Sequence, residues 1–159
     1  MYIVTSPLLS STSFHWALVH VNPDGVCSRH HWATYTADAL GPEKYVENFL
    51  PGGAKSSTRN VPFLGYYKLT NGYVPVEILR AACEPVFAEA SRAMKKAPDN
   101  RRVGVTCRTW LTKVLTGMVG ERRAQDIEAV VKSRSTVRNN EYANCILWRR
   151  NYVTVVEAV

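Results

Sequence analysis

His15, His31 and Cys107 are the residues whose types and spacing could do chemistry together. The two histidines lie in short aromatic-rich segments on either side of Asn22-Pro23-Asp24-Gly25. Cys107 follows far downstream, after Val103-Gly104-Val105-Thr106. A thiol beside an imidazole is a nucleophile with its own base: the ring takes the thiol proton and later returns it to a leaving group. The chemistry would be acyl transfer through a thioester. Cys107 stands where a helix is predicted to begin, with Thr106 as N-cap. The sulfur is therefore expected at the positive end of the helix dipole, where thiolate is favoured. Arg101, Arg102 and Arg108 are close in sequence, add positive charge, and could anchor a carboxylate or phosphate on the acyl donor.

The histidines must be positioned by a hairpin. An Asn-Pro-Asp-Gly turn commonly closes a three-residue loop with a bulge at the glycine. That register pairs Asn22 with Val26 and places Trp16 opposite Trp32, His15 opposite Ala33 and His31 opposite Ala17. His15 and His31 become diagonal neighbours on one face, within hydrogen-bond reach. A slip of one residue would exchange His30 for His31. Cys27 is placed on the face opposite His15. Cys27, Cys83 and Cys145 all read as packing residues. Without chemistry, His15 and His31 read as half-buried strand histidines and Cys107 as a small hydrophobe at a helix start.

The remaining elements follow from periodicity. Strands are predicted over 1–5, 14–21, 26–36 and 61–69, and a short helix within 38–50 from the spacing of Tyr45, Val46, Phe49 and Leu50. Residues 6–13 and 51–60 read as loops, and Asn71-Gly72 as a turn. The clearest helix runs over 76–96, with Pro85 expected to kink or split it. Residues 98–102 read as a turn carrying two bases. Helices are predicted over 106–119 and 124–132, a polar loop over 133–140, and a terminal strand within 142–156. The sum is one α+β domain over 1–159, an antiparallel sheet packed against helices, with His15 and Cys107 meeting at the sheet–helix interface.

Composition bounds the function. Hydrophobic residues make up 46% and aromatic residues 10% of the 159-residue chain, too much for a disordered polymer. Net charge is +7, but residues 1–91 carry 6 bases and 7 acids while residues 92–159 carry 14 and 6. This asymmetry fits a funnel for an anionic substrate or a solvated basic face. No apolar run approaches the ~20 residues of a membrane span, and the start has neither a basic region nor a sustained apolar core, so no secretory leader is expected. The four cysteines form no CxxC pair and are read as thiols in a reducing cytoplasm. No metal or cofactor is expected: phosphate-loop and zinc-peptidase motifs are missing, and Cys27, His30 and His31 alternate across a strand. Arg149-Arg150 between Trp148 and Tyr152 mixes bases with aromatics, as nucleic-acid surfaces do, but reads more simply as a charged strand edge.

The order His15-Trp16-Ala17-Leu18 on one strand, His31 on the next, and Cys107-Arg108-Thr109-Trp110 opening a helix resembles the circularly permuted papain-like group of NlpC/P60 enzymes. That group includes the lecithin–retinol acyltransferase-like proteins. Residues 104–110 also resemble small fungal proteins of unassigned function. The resemblance covers residues 14–118. It implies a permuted papain-like fold with His15 as base, His31 as the residue that orients it, and Cys107 as nucleophile. Trp16 and Trp110, the aromatics of the two motifs, are counted with Arg101, Arg102 and Arg108 as substrate-binding. Thr106 stands where many relatives have Asn, and Arg108 where the acyltransferase branch often has an acid. The implied function is a thiol-dependent hydrolase or acyltransferase acting on a small-molecule or peptide-like acyl donor, with an anionic group as one option and nucleic acid disfavoured. The alternative is a non-catalytic papain-like module that binds an acidic partner through its basic C-terminal part.

Overall fold

The hairpin forms as its turn chemistry dictates. In the computed structural model, which describes residues 1–8, 13–36, 38–51, 53, 63–69 and 73–159, β2 (Phe14–Val21) and β3 (Cys27–Thr34) run antiparallel. Asn22 N–H donates to Val26 O at 2.9 Å, Gly25 N–H donates to Asn22 O at 3.0 Å, and Gly25 takes φ 80°. The left-handed value is why glycine stands there. Leu18 pairs with His30 and Val21 with Cys27, the register expected from the turn.

Around this hairpin grows a six-stranded sheet in the order β4-β3-β2-β1-β5-β6, with β1 (Tyr2–Pro7), β4 (Glu43–Leu50), β5 (Gly65–Lys68) and β6 (Val155–Ala158). All neighbours are antiparallel except β5 and β6. The fold is α+β. Strand alternation separates the two sheet faces. Ile3, Trp16, Leu18, Trp32 and Tyr67 join one cluster with the helices, while Val4, Ala17, Val19, Cys27, Leu50 and Tyr66 form a second cluster. Cys27 opposes Val21, an odd position of β2 like His15, so it shares the histidine's face rather than the opposite one.

The helices are α1 (Val76–Cys83), α2 (Ala88–Arg92), α3 (Ala97–Arg102), α4 (Cys107–Val119) and α5 (Glu121–Leu147). Pro85 does split the helical stretch, leaving α1 and α2 on either side. Residues 43–50 are a strand, not the expected helix: β4 pairs with β3 along its whole length, and that pairing overrides a helical spacing of four apolar residues. Residues 98–102 are helical, with Pro98 in the first turn of α3, where its missing N–H costs nothing. The polar loop expected over 133–140 is absorbed into a 27-residue α5. Its buried stripe, Ala124, Ile127, Val131, Ser135 and Asn139, continues on small polar side chains. Ser135 Oγ is 2.9 Å from both Thr5 Oγ1 and Tyr67 OH, so the buried hydroxyl is satisfied. Parts of the expected loops at 6–13 and 51–60, Val61 and Pro62 of the expected strand, and Asn71-Gly72 lie outside the described residues. No helix among the described residues is long and apolar enough to cross a membrane, and the four cysteines are free thiols.

α4 begins where predicted. Thr106 Oγ1 accepts the Thr109 N–H at 3.1 Å, and Thr109 Oγ1 accepts the Thr106 N–H at 2.9 Å, a reciprocal capping box. Thr106→Ala should cost about 1 kcal/mol and lower the melting temperature by about 2–4 °C, whereas Thr106→Ser should hold it; thermal unfolding followed by circular dichroism measures both.

Candidate functional site

The site lies where the sheet forks. The registered β2–β3 pairs end at Leu18–His30; beyond them Phe14–Ala17 stay paired to β1 and His31–Thr34 stay paired to β4. The Asn22–Val26 bond fixes which groups face the fork. Antiparallel pairs alternate, so the even positions of β2 turn their N–H and C=O toward β3. Phe14 C=O and Trp16 N–H are the next of that row, and they meet Cys107 instead of a strand. The thiol donates to Phe14 O at 3.8 Å, and the Trp16 N–H is near enough to favour a charge on the sulfur. α4 packs on both β2 and β3 at this point. Because Phe14 O and Trp16 N flank the His15 Cα, Sγ sits within about 7 Å of that Cα.

His15 and His31 project on the face away from the helices, not at the sheet–helix interface where the sequence reading put the meeting with Cys107. Trp16 and Trp32, their neighbours, turn into the helical core. His15 Nε2 is 2.7 Å from His31 Nδ1 across the fork, with ring centroids 5.0 Å apart. His30, the alternative to His31, faces the helices and is held by Ser28 Oγ at 2.9 Å and Tyr45 OH at 2.7 Å.

The proton positions along this chain are set from its far end. Asn48 Oδ1, which can only accept, lies 2.9 Å from His31 Nε2 and takes Arg29 Nη2–H at 3.4 Å. His31 is thus the Nε2–H tautomer, and its Nδ1 accepts from His15 Nε2–H. In neutral His15 the basic nitrogen is then Nδ1. Burial first, then the nearby His15 and Arg29, hold the His31 ring well below its ordinary pKa despite the Asn48 bond, so it stays neutral. Asn48 was missed from sequence because 43–50 was read as a helix. A strand reading in register with 27–34 would have put it on the His31 face.

The thiol does not behave as the helix dipole alone suggests. Burial pushes Cys107 above the ordinary thiol range. The Trp16 N–H, Arg101 and the Arg108 N–H pull it back only in part, and Glu43 opposes them. Desolvation of a charged sulfur outweighs a helix end, so Cys107 rests as the thiol rather than the expected thiolate. Cys83, fully buried, is driven up to about 12.

The residues assigned to substrate binding are otherwise occupied. Trp16 and Trp110 are 2% and 0% exposed; they are core, and Trp110 stacks on Tyr45 at 5.7 Å. Arg101 Nη1 lies 3.0 and 3.1 Å from the two oxygens of buried Glu43, which also accepts from Trp32 Nε1 at 3.2 Å and Asn100 Nδ2 at 3.0 Å. Arg102 pairs with Asp99 at 3.3 Å and Arg108 with Glu128 at 3.4 Å. Two surface clefts of about 600 and 620 Å³ flank Pro85 and Phe87, and neither is lined by His15, His31 or Cys107. Among the described residues no group of three or more His, Cys, Asp or Glu side chains could hold a metal ion. No protein-family model, curated protein or solved structure matches the chain.

Two measurements test this electrostatic picture. Alkylation of Cys107 by iodoacetamide should keep accelerating with pH through and beyond the ordinary thiol range; a plateau near neutrality would mean a resting thiolate. The two buried rings make the fold acid-sensitive. Burial lowers His30 from 6.5 to about 4, and His31 also lies well below 6.5. Below 6.5 the unfolded chain binds more protons than the fold, so stability is full above that pH and is lost as pH falls toward about 4. Urea midpoints across that window should drop with acid, and His30→Gln should flatten the slope by up to one proton.

Proposed function

We propose that the chain is a thiol-dependent acyl-transfer enzyme in which Cys107 is the nucleophile, His15 its base and His31 the residue that orients His15. The observation that carries this reading is the position of the Cys107 sulfur, bracketed by the backbone of Phe14 and Trp16 on either side of His15. The resting thiol fits a general-base route rather than a preformed ion pair. Sγ attacks the acyl carbon as its proton passes to His15 Nδ1. The imidazolium that forms donates through Nε2 to neutral His31 Nδ1. The developing oxyanion falls to the Cys107 backbone N–H at the start of α4, which the Thr106–Thr109 capping box does not use. His15 then returns the proton to the leaving group as the carbon–leaving-group bond breaks. Water, an amine or an alcohol attacks the thioester and restores the thiol. The acyl donor is read as a small-molecule or peptide-like compound, and the four free thiols fit a reducing compartment such as the cytoplasm. The expected fold identity is the permuted papain-like one.

The half-buried Cys107 thiol, held above the ordinary thiol range, favours the second reading, a non-catalytic module that binds an acidic partner. One experiment separates the two. Incubation with an activated ester should leave one acyl group on Cys107, seen by intact mass and peptide mapping. Cys107→Ala should abolish it, and His15→Ala should slow it by about 10²–10⁴-fold. Slow, equal acylation of all four thiols would remove the enzyme reading.

A further inference from the structure

Of the four tryptophans, Trp16, Trp32 and Trp110 are 2%, 1% and 0% exposed, whereas Trp148 is 68% exposed. Ile146 and Leu147 beside it are exposed too, as are Val153 and Val156 on the segment that follows. Single exposed apolar side chains are ordinary; three consecutive bulky ones ending in an indole concentrate apolar surface at the tip of the helix. The tip is mounted rigidly. The C-terminus of α5 closes in a Schellman motif, with Arg149 N–H donating to Ile146 O at 3.1 Å and Arg150 N–H to Cys145 O at 2.7 Å. Arg149 holds φ 52°, the slot that glycine normally fills, so a base is kept here against its backbone preference. Arg149 and Arg150 are exposed and form no ion pair among the described residues, unlike Arg101, Arg102, Arg108, Arg134 and Arg138. Bases at a helix C-terminus complement its dipole, but that does not account for the exposed Ile-Leu-Trp before them.

We propose that this knuckle docks on an anionic membrane surface, with Ile146, Leu147 and Trp148 entering the headgroup–acyl boundary and Arg149 and Arg150 meeting anionic headgroups. An indole on aliphatic neighbours suits that boundary, and adjacent bases select its charge. Nucleic acid fits less well, because Trp148 is the one stacking face beside the aliphatic Ile146 and Leu147, and Tyr152 is engaged with Tyr142 and Leu64 O. A second copy across a two-fold axis would set Arg149 and Arg150 against their own counterparts. The inference is independent of the thiol chemistry.

Trp148 is its own probe, since the other indoles are buried. Mixed phosphatidylcholine–phosphatidylserine vesicles should shift the emission to the blue, protect it from iodide and co-sediment the protein, and salt should reverse all three. Arg149→Gly should keep or raise the melting temperature by relieving the backbone, yet weaken binding about fivefold, and adding Arg150→Gln should bring the loss to about 25-fold. Trp148→Phe should remove the optical signal while sedimentation still reports binding. No response to phosphatidylserine vesicles, equal binding to pure phosphatidylcholine, or unchanged binding by Arg149→Gly overturns the proposal. A blue shift without lipid, tracking a dimer in sedimentation velocity, overturns it in favour of a second copy.

Discussion

The Phe14 carbonyl and the Trp16 N–H would complete the β2–β3 ladder if the two strands stayed together; they meet a cysteine instead. A buried backbone group left without a partner is costly, so a fork in a sheet must be filled. Here the filler is the first residue of α4, held at its place by the Thr106–Thr109 box. Cys107 thereby reaches the backbone edge of β2 while packing on the helical core. The helix packs on one face while the imidazoles lie on the other. His15 and His31 bridge the same opening from the far side.

Two opposing electrostatic demands meet at the sulfur. The fork supplies N–H donors and a nearby guanidinium, but it also removes water, and water is the larger loss for a thiolate. Glu43 shares in this balance. Its carboxylate gathers Trp32, Asn100 and Arg101, and so ties β3 and β4 to α3 just ahead of the turn that delivers Cys107. The same charge adds, as a smaller effect than burial, to holding the thiol protonated. On the other face Asn48, oriented by Arg29, gives His31 a tautomer that accepts from His15 through Nδ1.

Part of the basic excess of residues 92–159 is tied up in structural ion pairs rather than left to form a substrate funnel. Arg101, Arg102 and Arg108 are bound to carboxylates, and Arg134 and Arg138 hold Glu157 of the edge strand β6. These contacts fasten the long helix and the last strand to the sheet. Arg149 and Arg150, like Arg122 and Arg123, form no ion pair among the described residues; they lie at the end of α5 next to the exposed Ile146, Leu147 and Trp148.

Local rules made part of this molecule legible in its sequence. Asn22-Pro23-Asp24-Gly25 carries its own turn, and the turn sets a register that puts His15 and His31 on one face. Thr106 before an amphipathic run starts a helix at Cys107, and Pro85 divides another. Each depends on residues within a few positions of one another. The rest needed contacts between distant segments. Residues 43–50 are a strand because β3 lies beside them, and only as a strand do they bring Asn48 to His31. Residues 133–140 are helical because Thr5 and Tyr67 satisfy Ser135. The resting state of Cys107 was decided by tertiary structure alone: its helix end is a local property that favours a charge, and its burial at the fork is a non-local one that opposes it more strongly.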